Sequence, residues 1–539
     1  MPSGTLRPIE DIVEECGIGR EHFEPYGRYM GKVDHRYRGR KRGRLILVTG
    51  INPTPAGEGK TTTTIGLTQA LRRLGKDAAC AIREPSLGPC FGVKGGATGG
   101  GRSMVEPSDR INLLFTGDFP AVSAAHNLLS ALINNHMYHG NPLGMEPKGI
   151  MFPRTVDMND RSLRSIIVGV GERASGVMAP DRFVITPASE VMAILGLSTS
   201  IGELKERLGR IVVYARGKKV VRASDLRAQG AMAALLRDAM DPNIVQTTEG
   251  APAFVHTGPF GNIAHGTSSI TADLIGLSAF DYLVTEAGFG SELGGEKFFD
   301  IVQAQGKFSV NAVVIVATIR ALKHHGSGSI EKEDVDAVVR GSDNLLRHVE
   351  IVRSFGIDPV VAINLFPTDT ERELKALEEI LDSHSVRHAR SDVYAKGGEG
   401  GIALAQEVLR SVGDYTIRRA YDRNMDPREK IEAIATKVYG AGRVTFTERA
   451  LSDLRLVEST GMSDAYVCMA KTQYSLSDNP ALLNAPRGFE VRISSISLSA
   501  GAGFIVPMLG DIMTMPGLPK VPASEGIDVD EQGNITGLS

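Results

Sequence analysis

The chain has 539 residues, which at roughly 150 per domain makes about three or four domains, or one large domain with sizeable insertions. Its 60 basic and 63 acidic residues leave a net charge of -3, which excludes a surface built throughout for nucleic acid or anionic membrane. The longest apolar stretches, such as 312–319, fall far below the roughly 20 residues a bilayer needs, so the sequence predicts a soluble protein with no membrane partner.

Residues 1–19 carry Glu10, Asp11, Glu14 and Glu15 and no uninterrupted apolar core, which does not read as a secretory signal and predicts a cytoplasmic location. Next comes HRYRGRKRGR at 35–44, six Lys or Arg in ten residues. Such a run can grip RNA, a phosphate group or a polyglutamyl tail. The preferred reading is a solvated connector and no nucleic-acid partner.

Runs of β-branched residues then alternate with helical patterns, which predicts an α/β fold with a mostly parallel sheet and helices on both faces. The expected strands are 44–49, 78–83, 182–186, 281–285, 312–319 and 359–364. A helix is expected over 120–139, where Val122, Ala125, Leu129, Leu132 and Ile133 share one face and Pro120 suits the first turn. Its His136 and His139 are read as surface or interface residues rather than metal ligands.

Residues 210–222 read as a hairpin turning at Gly217 and Lys218, set in an insertion near 150–250. A new strand and helix series begins at about 355, and the segments shorten after about 451. The expected layout is therefore a nucleotide-binding domain at 1–354 and smaller α/β or α+β domains at 355–450 and 451–539. Cys16, Cys80, Cys90 and Cys468 show no Cys-x-x-Cys spacing and are read as reduced and mostly buried.

The 61 glycines exceed the roughly 38 that average usage would give, and the excess is expected where backbone approaches ligand. The strand at 45–49 runs into TPAGEGKT, comprising Thr54, Pro55, Ala56, Gly57, Glu58, Gly59, Lys60 and Thr61, and a helical pattern follows. Strand, glycine loop, Lys-Thr, helix is the order of a P-loop, although Thr54 stands where the first glycine is usual. Backbone N–H groups and a helix N-terminus can cradle the phosphates of ATP, Lys60 can neutralise charge, and Thr61 can offer its hydroxyl to Mg2+.

P-loop enzymes hold that metal through a carboxylate at a strand end. Glu286 is the first candidate and Glu84 its competitor; either can instead cap a helix or pair with an arginine. A second glycine loop, GVKGGATGGGR at 92–102, contains Lys94, Gly95 and Gly96 and ends on Arg102. Two anion-cradling loops imply more than one anionic ligand.

These residues resemble the formate tetrahydrofolate ligase family over nearly the whole chain. The loop at 92–102 is similar to one family signature, departing at Thr98 and Arg102, and VATIRALKHHGSG at 316–328 is similar to the second. TPAGEGKT resembles the family's own P-loop, missing glycine included. REPSLGP at 83–89, FTGDF at 115–119, DMNDR at 157–161, EKFFDI at 296–301 and TMPGLP at 514–519 extend the match.

The resemblance implies ligation of formate to tetrahydrofolate, with ATP giving ADP and phosphate through formyl phosphate. It implies that Arg83 contacts the acyl phosphate and that Asp118 lies near the reacting folate nitrogen; some group must take that nitrogen's proton, and Asp118 is the candidate acceptor. It also implies that Phe366 and Tyr394, the latter where tryptophan is common, sandwich the pterin ring. Pro120 departs from the family's usual histidine. Formate and tetrahydrofolate, with or without a polyglutamyl tail, are the implied partners, potassium or ammonium the implied monovalent cation, and a homotetramer the implied assembly. The rival readings are another carboxylate-activating P-loop ligase, a nucleotide-driven switch ATPase, and an RNA-binding protein using 35–44.

Overall fold

The computed structural model describes residues 6–94, 97–217, 219–510 and 512–538. Strand Arg44–Gly50 shows why the architecture is layered: Leu45, Ile46, Leu47 and Val48 are all fully buried, so both of its faces are covered. Leu45 and Leu47 pack with Val313, Ile315, Leu345, Val349 and Leu377, whereas Ile46 and Val48 pack with Ile65, Leu71, Leu404 and Val408. Alternate side chains of one strand thus meet helices on opposite sides of the sheet.

That sheet has twelve strands. In chain order they are Phe23–Pro25 (β1), Gly31–Val33 (β2), Arg44–Gly50 (β3), Ala78–Ile82 (β4), Gly99–Gly100 (β5), Ser103–Glu106 (β6), Asn243–Thr247 (β7), Pro252–Val255 (β8), Tyr282–Glu286 (β9), Ala312–Ala317 (β10), Val360–Asn364 (β11) and Arg387–Ser391 (β12). Their spatial order is β1-β2-β7-β8-β4-β9-β3-β10-β11-β12, and β6 pairs with both β7 and β5. From β8 to β12 every pairing is parallel. Antiparallel pairings join β8 to β7, β7 to β2 and β2 to β1. Within the parallel core β3, β4, β9, β10 and β11 follow the predicted strands to within a few residues, whereas β8 and β12 are unpredicted; the antiparallel flank is unpredicted too, because segments as short as β1 and β2 show no periodicity.

The covering helices are Lys60–Arg73 (α1), Asp118–Tyr138 (α2), Ile270–Ala279 (α3), Ile319–His325 (α4), Val335–Ser354 (α5), Glu371–Ser383 (α6) and Ile402–Ser411 (α7). Residues 107–242, which intervene between β6 and β7, form an excursion from the sheet that holds α2 and the hairpin Val212–Arg216 with Lys219–Arg222. One prediction fails here. The expected strand at 182–186 shortens to Phe183–Ile185 and pairs only with Arg154–Val156, outside the large sheet. Pro180 and Pro187 flank it and lack the N–H donors that an extended ladder needs.

The large sheet continues through position 355, since β11 and β12 extend it. A second sheet follows, with Arg443–Phe446 (β13), Tyr466–Val467 (β14), Glu490–Ser499 (β15) and Phe504–Leu509 (β16) in the order β13-β15-β16-β14. Its buried Ile493, Phe504 and Leu509 belong to the same apolar cluster as Leu45 and Ile315, so the two sheets share one core. All four cysteines are buried. Among the described residues, no helix is long and apolar enough to cross a membrane.

Candidate functional site

The loop after β3 turns on Gly57 and Gly59, whose φ values of 76° and 75° lie in the left-handed region that side chains disfavour. At Gly59 a Cβ would also stand 2.7 Å from Asn364 Nδ2. Gly59 is the N-cap of α1 and supplies no side-chain hydrogen bond, and the first helical turn has no acidic residue. The helix start therefore keeps N–H donors and a positive dipole end for an anion. Lys60 opens the helix, its stem passing Gly50, where a Cβ would stand 3.2 Å from Lys60 Cδ.

Glu58 braces this loop from within and is almost fully buried. Its Oε1 accepts the Thr54 N–H at 2.7 Å and the Thr54 hydroxyl at 2.8 Å. Its Oε2 accepts the Thr318 hydroxyl, and its backbone carbonyl accepts Asn364 Nδ2 at 3.1 Å. The carboxylate thus substitutes for the turn that the absent first glycine would make, tying Thr54 to its own loop. The sequence signal for this role is a glutamate set between two loop glycines.

Three further groups gather at the C-terminal ends of neighbouring parallel strands, which is where open α/β sheets bind ligands. Thr61 donates its hydroxyl to Glu286 Oε2 at 2.7 Å, and Glu286 Oε1 lies 3.7 Å from Arg83 Nε. Two hard oxygens beside a phosphate cradle fit Mg2+. Arg83 donates to the Pro259 carbonyl at 3.3 Å, and its guanidinium lies along Gly288, where a Cβ would come within 3.1 Å. The competitor Glu84 faces elsewhere: its buried Oε2 has no partner among the described residues, and burial, with Asp118 nearby, pushes its carboxyl well above the usual range.

Asp118 begins α2 and is buried. Lys32 Nζ donates to its Oδ1 at 2.8 Å and Asn243 Nδ2 to its Oδ2 at 2.7 Å, so both oxygens are engaged. Neither Lys32 nor Asn243 carried a sequence signal, because β2 and β7 bring them from remote parts of the chain. His256 next to this cluster is pushed down to about 4 by burial and is neutral near pH 7.

Phe366 and Tyr394 follow the ends of the paired strands β11 and β12, whose Asn364 and Ser391 are register partners. Both aromatics therefore emerge at the same sheet edge as the loop at 54–61. Tyr394 is 59% exposed, so ordinary core packing does not explain it. Its ring faces Gly100, where a Cβ would stand 3.0 Å from Cε2, and its carbonyl accepts the Arg102 N–H at 2.8 Å. Half-buried Phe366 has the Arg320 guanidinium over its face, 4.0 Å from the ring centroid. Gly95, Gly96 and the side chain of Lys94 lie outside the described residues.

Other sequence features make local contacts. His136 Nε2 accepts the Leu143 N–H at 3.1 Å, closing the end of α2. In the basic run, Arg36 pairs with Asp34, Lys41 with Asp77 and Arg44 with Asp414.

The sequence profile of the family described as "Formate--tetrahydrofolate ligase" matches residues 2–539. The chain belongs to the formate–tetrahydrofolate ligase family. A protein of that name from Thermoplasma acidophilum is 65% identical over 536 residues, covering 99% of this chain and all of the relative. Those from Thermoplasma volcanium and Symbiobacterium thermophilum are 64% and 52% identical, again over 99% of this chain and at least 98% of their own length.

Proposed function

We propose that this family member ligates formate to tetrahydrofolate, driven by ATP, giving 10-formyltetrahydrofolate, ADP and phosphate. The observation that carries the reading is the full-length family match, made chemically specific by Lys60, Thr61, Glu286 and Arg83 at one sheet edge. Formate is a poor electrophile because its carboxylate oxygen does not leave. Phosphoryl transfer to that oxygen makes formyl phosphate, whose phosphate does leave, and the transfer depends on positioning and charge neutralisation.

In this reading the loop from Thr54 to Thr61 holds the ATP phosphates, and Lys60 with the start of α1 neutralises them. Thr61 and Glu286 hold Mg2+, which when bound supplies further neutralisation of the phosphate oxygens. Arg83 offers its planar fork to the acyl phosphate. The loop carrying Lys94, Gly95 and Gly96 cradles a second anion.

The pterin ring stacks at Phe366 and Tyr394, and N10 of the folate, which lies outside that ring, attacks the formyl carbon and displaces phosphate. Asp118 is the proton acceptor in this reading and must act against the hold of Lys32. Glu84, whose buried orphaned oxygen lies within electrostatic reach of Asp118, is its competitor. Full turnover by Asp118→Asn would remove Asp118 from the role, and Glu84→Gln would then test the alternative.

We read the layout as a P-loop nucleotide-binding part at 1–354 with an insertion near 150–250, a folate-binding part at 355–450 and a small part at 451–539. Because β11 and β12 extend the large sheet beyond position 355, that boundary is in this reading one of function. Potassium or ammonium as activating cation and a cytoplasmic location belong to the same reading through the family resemblance. So does a homotetramer, with which the exposed apolar side chains of Ile167, Val170 and Met178 are compatible.

The deciding experiment follows ADP and formylfolate together while formate or tetrahydrofolate is omitted in turn. Joint formation only with all three substrates supports the ligase. ATP turnover without them and without formylfolate would sink it in favour of a switch ATPase.

A further inference from the structure

Arg320 touches both halves of the site. It is the second residue of α4, just after strand β10 and the N-cap Thr318. One side of its guanidinium serves the nucleotide loop: Nη2 donates to the Gly57 carbonyl, and Nε lies 3.4 Å from Glu58 Oε2. The flat face lies over Phe366, 4.0 Å from the ring centroid. The side chain is only 22% exposed, so these contacts are shielded from solvent.

A second strap runs parallel to it. Asn364, two residues before Phe366, donates to the Glu58 carbonyl at 3.1 Å and presses against Gly59. The loop and the aromatic platform are thus bolted together at these points, and the Arg320 bolt contacts the ring itself. Any shift of Gly57 and Glu58 on closing around phosphate moves the guanidinium, and with it the ring on which it stacks.

We propose that Arg320 is a positioning residue that couples the nucleotide loop to the folate platform, so that occupancy of one site changes affinity at the other. This rests on the ligase reading of Phe366. A guanidinium suits the task because it hydrogen-bonds in its plane while stacking through its face, which an ammonium cannot do. Binding linkage requires the effect to be reciprocal.

The test titrates a fluorescent Mg-ATP analogue into the full-length chain, with and without saturating tetrahydrofolate, and then tetrahydrofolate with and without the analogue. In the unaltered chain each ligand should change the dissociation constant of the other by the same factor, about 5-fold or more. In Arg320→Gln and Arg320→Lys that factor should fall to within about 2-fold of one. In a cycle with Phe366→Leu, the second substitution should change it no further.

A merely structural Arg320 would lower the melting temperature and leave the factor unchanged, which overturns the proposal. A factor of one in the unaltered chain also overturns it. If the Gln variant does not fold, the Lys variant decides, because it keeps the charge beside Glu58 and loses the planar face. Product assays on the unaltered chain separate the two levels. Absence of formylfolate removes the ligase reading; normal product together with undiminished coupling in the variants removes only this proposal.

Discussion

Replacing Glu58 by glutamine tests whether the loop is braced from inside. The carboxylate offers two acceptors to donors on opposite sides: the Thr54 N–H and hydroxyl at Oε1, and the Thr318 hydroxyl and Arg320 Nε at Oε2. Glutamine offers one acceptor and one NH2 group, so either orientation sets a donor against donors. A hydrogen bond to a charged group contributes about 1.5–3 kcal/mol, and one strong bond lost with one weak one makes about 2–4 kcal/mol. That corresponds to roughly 30- to 1,000-fold in an equilibrium constant.

The loss should appear where the loop works. Equilibrium titration with a fluorescent ATP analogue should show at least about a 10-fold weaker complex for Glu58→Gln, the remaining loss being taken up as loop opening. Hydrogen-exchange mass spectrometry of peptides spanning 51–60 should show faster exchange, because the Thr54 amide loses its acceptor. Affinity within twofold of the unaltered chain, with unchanged exchange, would refute the reasoning.

Glu286→Gln removes the carboxylate on Thr61 and should raise the Mg2+ concentration for half-maximal activity by about 10-fold or more, since hard divalent ions demand charged oxygen ligands; an unchanged Mg2+ titration would remove Glu286 as a ligand. Tyr394→Ala should raise the KM for tetrahydrofolate by roughly 2- to 10-fold, the equivalent of one lost ring stack, and leave that for ATP unaltered; equal effects on both substrates would point to collapse of the neighbouring Gly100 loop instead. The carboxyl oxygens of Asp273, buried in α3, accept no hydrogen bond among the described residues, and the nearby Thr285 hydroxyl donates to the Ala81 carbonyl at 3.2 Å. Burial pushes its carboxyl up to about 8. Its folded pKa lies above the unfolded one, so its contribution to stability is complete below about pH 4 and is lost as pH rises through about 8. The melting temperature of the unaltered chain should therefore fall over that range, and Asp273→Asn should flatten the fall; identical pH slopes would contradict it.

Much of the site was legible because its chemistry is local in sequence. Thr54 to Thr61 are contiguous, and apolar runs on either side announce a strand and a helix that the structure contains. Glu286 was legible as a carboxylate at a strand end, but its contest with Glu84 was not, since both follow buried strands. Register separates their surroundings: β9 lies beside β3, with Glu286 opposite Val48, so its carboxylate meets Thr61 at the start of the next helix. Phe366 and Tyr394 were legible only through family resemblance, because a single aromatic after a strand carries no periodic signal.

Length, charge balance, the alternation of buried strands with amphipathic helices and the glycine loop with Lys60 and Thr61 were determined by the amino-acid sequence itself. These depend on neighbours within a few residues, where covalent geometry and hydrophobic period dictate the outcome. The pairing of Lys32 with Asp118, the bracing of Glu58 by Thr318 and the placement of Arg320 over Phe366 were decided by tertiary structure alone. Each joins groups 46 to 260 positions apart whose desolvated charges or ring faces find partners only after the strands have taken their order in the sheet.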